Sequence, residues 1–114
     1  MGASMGGTAV MAAAGHLGGS IAAVIDLSGP ALFAGMDTLG AARRVHVPVL
    51  FGYGQQDSEF AADIRRVRAA TAARDKPLVT VSGPAHGVDP VDPPAGYASV
   101  RNAVLQFIRA NTHR

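Results

Sequence analysis

A serine near the start of the 114-residue chain lies between glycines in a spacing that suits a nucleophile. The segment reads Gly-Ala-Ser-Met-Gly-Gly, with Gly2 and Gly6 two positions on either side of Ser4. In a sharp strand-to-helix turn the backbone nearly touches itself at those two positions, so only very small residues fit there. Such a turn exposes the hydroxyl above a helix N-terminus, which favours developing negative charge. The spacing therefore predicts nucleophilic chemistry at Ser4.

Two further residues have the chemical types that a nucleophilic serine requires. Asp57 follows the segment Gly-Tyr-Gly-Gln-Gln, and His86 lies within Gly-Pro-Ala-His-Gly. A histidine can take the hydroxyl proton, and a carboxylate can orient the imidazole and stabilise its protonated form. Plainer interpretations exist, with Asp57 as a solvated loop or cap carboxylate and His86 as a loop histidine. Asp26 is a rival acid, but it lies inside an apolar run and is expected to be poorly oriented.

The elements that would position these side chains can be predicted from short apolar runs and helical periodicity. The runs predict strands at Ile21–Leu27, Val47–Tyr53 and Leu78–Val81. Helices are predicted from Ser4 to Gly15, from Asp37 to Arg44, after Ser58 as N-cap, and from Gly96 to Ala110. The third helix would bury Phe60, Ile64, Val67 and Thr71, and the last would bury Tyr97, Val100, Val104, Phe107 and Ile108.

Strands joined by helical crossovers of this length pair in parallel with right-handed connections. The predicted fold class is therefore α/β, a parallel sheet of about three strands with flanking helices, in one domain spanning 1–114. Ser4, Asp57 and His86 all follow strands, and ligands in such sheets bind at the carboxyl ends of the strands. The topology predicts that the three side chains meet at that edge within hydrogen-bond distance.

Composition excludes several other classes of function. Hydrophobic residues make up 48% and charged residues 16% of the chain, which is typical of a globular protein. A net charge of +2, with no tryptophan and only two tyrosines, does not favour nucleic-acid binding. No apolar run is long enough for a membrane span. The absence of cysteine leaves the compartment open, and the histidine and carboxylate spacings predict neither a metal site nor a cofactor.

The order serine, aspartate, histidine, with the serine in a G-x-S-x-G turn, resembles the α/β-hydrolase family. The segments that carry the resemblance are Gly2–Gly7, Gly52–Asp57 and Gly83–Gly87. It implies that Ser4 attacks the acyl carbon of a carboxylic ester, that His86 and Asp57 complete a triad, and that the Met5 N–H is an oxyanion donor. The twenty residues or so between the first two predicted strands leave no room for a lid domain, so the site is expected to be open.

The resemblance covers only the C-terminal half of the family's fold, beginning at the nucleophile turn. The strand that feeds into Gly2 and the loop that supplies a second oxyanion donor are expected to be missing. Losing one oxyanion donor costs about a hundred- to a thousand-fold in turnover, so feeble esterase activity is expected from the chain alone. One alternative is a non-catalytic remnant that needs a partner or self-associates through the uncovered edge of the Ile21–Leu27 strand. Another is anion binding by the glycine-rich turn alone.

Overall fold

The computed structural model describes residues 1–83, 86 and 98–112, which form alternating strands and helices. The strands are Gly2–Ala3 (β1), Val24–Leu27 (β2), Leu32–Phe33 (β3), Met36–Asp37 (β4), Val49–Gly54 (β5) and Leu78–Val81 (β6). The helices are Met5–Leu17 (α1), Thr38–Ala42 (α2), Ser58–Ala70 (α3) and Ala98–Thr112 (α4), with a 3₁₀ turn at Gly18–Ser20. Within the described ranges, no helix has the length and apolar character needed to cross a membrane.

The main sheet has the strand order β1-β2-β5-β6, and every pair in it is parallel. This arrangement confirms the predicted α/β class, and β2, β5 and β6 are the three strands expected from the sequence. One expectation is corrected, because the strand before the serine is present in part. Gly2 and Ala3 pair with Asp26 and Leu27 as β1. Two residues, one of them glycine, are too few to leave an apolar pattern in the sequence.

The core lies on both faces of this sheet. Val24, in β2, belongs to a buried cluster that includes residues of α1 and α3, whereas its neighbour Ile25 belongs to a second cluster with α4. This alternation follows from the two-residue repeat of a strand that is covered on both sides. The helices on the two faces therefore hold β2, β5 and β6 in one plane and bring their carboxyl ends to one edge.

The first helix is longer than predicted, and the glycine expected to end it packs against another helix. A methyl group on Gly15 would lie 2.9 Å from the carbonyl oxygen of Ala41, so Gly15 permits close contact with α2. The helix instead ends before Gly18, whose φ of 58° is a left-handed conformation that glycine adopts readily. The expectation that α1 ends at Gly15 is therefore corrected.

Other boundaries differ from the predictions by a few residues. The N-cap of α3 is Asp57 instead of Ser58, and the stretch after β2 forms the antiparallel β3–β4 hairpin. On α4, three of the predicted core residues are buried, but Ile108 is 39% exposed. The predicted start of this helix at Gly96 and the burial of Tyr97 lie outside the described residues.

Candidate active site

Ser4 occupies a sharp turn between β1 and α1, and the turn is held by backbone hydrogen bonds on both sides. The Ser4 N–H donates to the carbonyl of Leu27 at 2.8 Å, and the Gly7 N–H donates to the carbonyl of Ser4 at 2.8 Å. Ser4 has a φ of 53° and a ψ of −124°, a conformation that costs a non-glycine residue about 1–3 kcal/mol. The side chain makes no capping bond to the helix, so the hydroxyl is directed elsewhere.

The positions around this turn that require glycine are not all the ones that the sequence motif predicts. A methyl group on Gly2 would lie 2.0 Å from the carbonyl oxygen of Gly6, so Gly2 must be a glycine, as predicted. A methyl group on Gly6 itself would meet nothing within 4 Å, which corrects the expectation that only very small residues fit there. The tight position is the next one, because a methyl group on Gly7 would lie 2.2 Å from Oδ1 of Asp26.

Asp57 is placed by the end of β5 and the start of α3. Its N–H donates to the carbonyl of Gly54 at 2.9 Å, and its own carbonyl accepts the N–H of Ala61 at 2.8 Å. The same loop is joined to the end of β6, where the Gln55 N–H donates to the carbonyl of Val81 at 2.8 Å. The carboxyl makes no helix-capping hydrogen bond. The Asp57 side chain is therefore available to His86.

The three predicted residues form one hydrogen-bonded series. Nδ1 of His86 lies 2.5 Å from Oδ2 of Asp57, and Nε2 of His86 lies 2.9 Å from Oγ of Ser4. A carboxylate only accepts, so Nδ1–H donates to it, which leaves Nε2 of a neutral imidazole to accept the serine hydroxyl proton. The Asp57 side chain is 14% exposed and that of His86 is 34% exposed. The carboxylate is thus shielded, whereas the imidazole is partly exposed.

An aromatic contact that the sequence pattern did not predict supports the imidazole from the side. The ring of Phe60 lies 4.3 Å from that of His86, centroid to centroid, at an angle of 50°. Phe60 stands in the first turn of α3, three residues after Asp57, so the same helix start presents both partners of His86. Its place in the apolar repeat of α3 made it look like an ordinary core residue.

The start of α1 offers backbone donors beside the serine. The helix begins at Met5, so the N–H groups of Met5 and Gly6 have no partner within the helix ladder. No acidic residue stands in the first turn, which leaves the positive end of the helix dipole without a compensating charge on α1. A developing oxyanion next to Ser4 would be stabilised at this position.

Asp26, the rival acid, faces a different environment. It is fully buried in β2, and Oδ1 accepts the N–H of Gly29 at 3.1 Å. Burial raises the pKa of this carboxyl from 3.8 to about 7, although the hydrogen bond from Gly29 acts in the opposite direction. Among the described residues, Oδ2 has no hydrogen-bond partner. The carboxyl that contacts His86 is therefore that of Asp57.

Comparisons with protein-family models, with curated proteins and with solved structures find no match for this chain. The resemblance to the α/β-hydrolase family accordingly stays an expectation from the three sequence motifs.

Proposed function

We propose that the protein is a serine hydrolase of the α/β-hydrolase type that cleaves small carboxylic esters through an acyl-enzyme. The observation that carries the proposal is the series Asp57, His86, Ser4, in which successive side chains lie 2.5 and 2.9 Å apart. Each member has the donor or acceptor that its neighbour requires, and the serine stands on a strained turn at a helix start.

The first half-reaction follows from these positions. Oγ of Ser4 attacks the ester carbonyl carbon while its proton passes to Nε2 of His86. The carbonyl oxygen becomes an oxyanion, which accepts the Met5 N–H, and Asp57 stabilises the imidazolium. When the carbon–oxygen bond breaks, the leaving alcohol takes the proton from Nε2, and the acyl group stays on Ser4.

Water completes the reaction by the same route. It attacks the acyl carbon and transfers one proton to Nε2 of His86, after which the acid leaves and Ser4 regains its proton. The exposed fraction of the His86 side chain, 34%, favours substrates that reach the site without a buried channel. Small, accessible esters are therefore the proposed substrate class.

The test is covalent labelling of the full chain with a fluorophosphonate probe, followed by mass spectrometry of the labelled peptide. We expect one adduct, on the peptide that contains Ser4, and hydrolysis of p-nitrophenyl acetate that the probe inhibits. Ser4→Ala should abolish both. Ser20→Ala, which changes an exposed serine of the 3₁₀ turn, is the matched control and should label like the parent chain. Equal labelling of Ser4→Ala and the parent would reject the proposal.

A second candidate is a non-catalytic role that depends on self-association, and the uncovered part of the β2 edge favours it. Leu27 accepts the N–H of Ser4, which directly follows β1, whereas the Val24 N–H donates to the Pro48 carbonyl on the β5 side. The backbone N–H and C=O groups of successive residues in a strand point to opposite sides, so those of Ala23 face the β1 side. β1 pairs only with Asp26 and Leu27. Among the described residues, Ala23 therefore has no strand partner on this side, and it forms the uncovered stretch of the β2 edge.

Apolar cavities flank this uncovered stretch on both faces of the sheet. The cavity on the α4 side, of about 170 Å³, is lined by Met1, Ala23, Ile25, Phe107, Ile108 and Thr112. The cavity on the α1 side, of about 160 Å³, is lined by Met1, Val10, Ala13, Ile21, Ala23 and Val24. An extended strand of a second copy would pair with the edge and place alternate side chains in the two cavities.

Sedimentation velocity distinguishes this second candidate. Self-association predicts a dimer of the parent chain that Ile108→Lys, with its charge in the α4-side cavity, converts to a monomer. Leu105→Lys is the matched control, because Leu105 is 44% exposed on the same helix and does not line the cavity. A folded, monomeric parent chain would exclude self-association.

A further inference from the structure

Asp26 is a buried carboxylic acid beside the nucleophile turn, and the proposed reaction does not use it. Its backbone lies opposite Gly2 in the pairing of β1 with β2. The next residue, Leu27, accepts the hydrogen bond from the Ser4 N–H at 2.8 Å. Asp26 is therefore one residue away from the backbone contact that holds the turn to the sheet.

The carboxyl fills the space where the first turn of α1 meets the segment after β2. A methyl group on Gly7 would lie 2.2 Å from Oδ1, and one on Gly29 would lie 2.4 Å from it. Oδ1 also accepts the Gly29 N–H at 3.1 Å. Gly7 in turn donates its N–H to the carbonyl of Ser4 at 2.8 Å. The carboxyl thus contacts the helical turn that closes on the nucleophile.

Hydrogen bonds on both sides of the carboxyl hold the segment after β2 in place. Thr8, which directly follows Gly7, donates from Oγ1 to the carbonyl of Pro30 at 2.7 Å. The Ser28 N–H donates to the carbonyl of Gly52 in β5 at 2.9 Å. The segment after β2 is therefore tied to the sheet at one end and to α1 at the other, with the carboxyl between them.

Burying a carboxyl group destabilises the fold more than burying an apolar group of the same size. Burial raises the pKa of Asp26 to about 7, and its Oδ2 is buried with no hydrogen-bond partner among the described residues. An apolar side chain of similar size would avoid this penalty. What the carboxyl supplies, and an apolar group cannot, is an acceptor for Gly29 in a shape that fits against Gly7.

We propose that Asp26 is a positioning residue for Ser4, a role that rests on the proposed function. Its carboxyl group fixes the first turn of α1 against the segment Ser28–Pro30 and so sets the orientation of the Ser4 hydroxyl and the Met5 N–H. The residue acts through the backbone of the turn and does not touch the substrate. Gly7 and Gly29 are the glycines that this arrangement requires.

The test compares two substitutions of Asp26 by the second-order rate of fluorophosphonate labelling, measured per folded molecule. Asp26→Asn keeps an acceptor of the same shape, and we expect a rate within about threefold of the parent. Asp26→Ala removes the acceptor and opens a gap, and we expect a fall of about 10- to 100-fold, because small displacements of a reacting group have effects of this size. Folded Asp26→Ala labelling at the parent rate, or an equal loss in both variants, would overturn the proposal.

Gly7→Ala tests the same contact if Asp26→Ala does not fold. Its methyl group would overlap Oδ1, so labelling should fall at least 10-fold although alanine favours a helix by about 1 kcal/mol. Gly19→Ala is the control, because its methyl group would meet nothing within 4 Å. A parent-like rate in Gly7→Ala would overturn the proposal.

Backbone amide NMR separates failure of this inference from failure of the proposed function. Asp26→Ala should shift the amide resonances of Ser4 and Met5, whereas Asp26→Asn should leave them close to the parent values. This readout does not require hydrolysis. Unchanged amide shifts in folded Asp26→Ala reject the positioning role, and equal labelling of the parent and Ser4→Ala rejects the hydrolase function.

Discussion

Replacing Asp26 with asparagine should change how the stability of the fold depends on pH. Burial raises the pKa of this carboxyl from 3.8 to about 7 in the folded protein. The folded chain therefore retains a proton that the unfolded chain releases between these two values. Its contribution to stability is fully present below pH 3.8, falls as the pH rises, and is lost above about pH 7.

The expected size of the effect follows from the two pKa values. One pKa unit corresponds to about 1.4 kcal/mol, so the rise from 3.8 to about 7 amounts to about 4 kcal/mol. That is a large share of the roughly 5–15 kcal/mol by which small domains are stable. Asparagine cannot ionise, and the free energy of unfolding of Asp26→Asn should lack this contribution. Relative to the parent, the variant should gain about 4 kcal/mol between low and neutral pH.

Urea unfolding followed by far-UV circular dichroism, from about pH 4 to about pH 8, measures this difference. The variant is subtracted from the parent at each pH, so that groups titrating equally in both chains cancel. Asp75→Asn, at an exposed aspartate, is the control, and its curve should run parallel to that of the parent. A difference between parent and Asp26→Asn that stays constant over the whole range would contradict a raised pKa of Asp26 in the folded protein.

Three further predictions concern the turn and the triad. Asp57→Asn should lower the labelling rate by about a thousandfold or more, because the amide would favour the wrong tautomer of His86; a change under tenfold would contradict this role. Phe60→Ala should lower the same rate about 2- to 10-fold, the worth of an aromatic contact, and Phe60→Tyr should restore it. Gly2→Ala should reduce the melting temperature sharply whereas Gly6→Ala leaves it unchanged or raises it, and equal losses in thermal unfolding would contradict the steric argument.

That the three site residues come together could be predicted from the sequence, because their meeting depends on the strand topology. Ser4, Asp57 and His86 each follow a strand, and parallel pairing brings strand ends to one edge whatever the details of packing. The structure contains the hydrogen bonds between them that this reasoning required. Their catalytic roles stay predictions, to be decided by labelling and by substitution.

Features that depend on the space between residues distant in sequence could not be predicted in the same way. Gly6 fits a familiar motif, yet the steric demand falls on Gly7, since it is set by a carboxyl nineteen positions further along the chain. Gly15 looked like a helix end because its contact with Ala41 of α2 has no local signature. Ile108 shares the apolar repeat of α4, but it lies beside the uncovered stretch of the β2 edge.

The two-residue strand β1 has a consequence for how reactivity is controlled. Among the described residues, β1 is joined to β2 through Gly2 and Ala3, and the Ser4 N–H adds one bond to Leu27, so few bonds oppose local opening of this segment. Brief detachment of β1 would move Ser4 away from His86 while β2, β5 and β6 remain paired. The fraction of time that the segment is docked would then multiply the intrinsic labelling rate. Amide hydrogen exchange at Ser4, measured against the core of β5, would report that fraction directly.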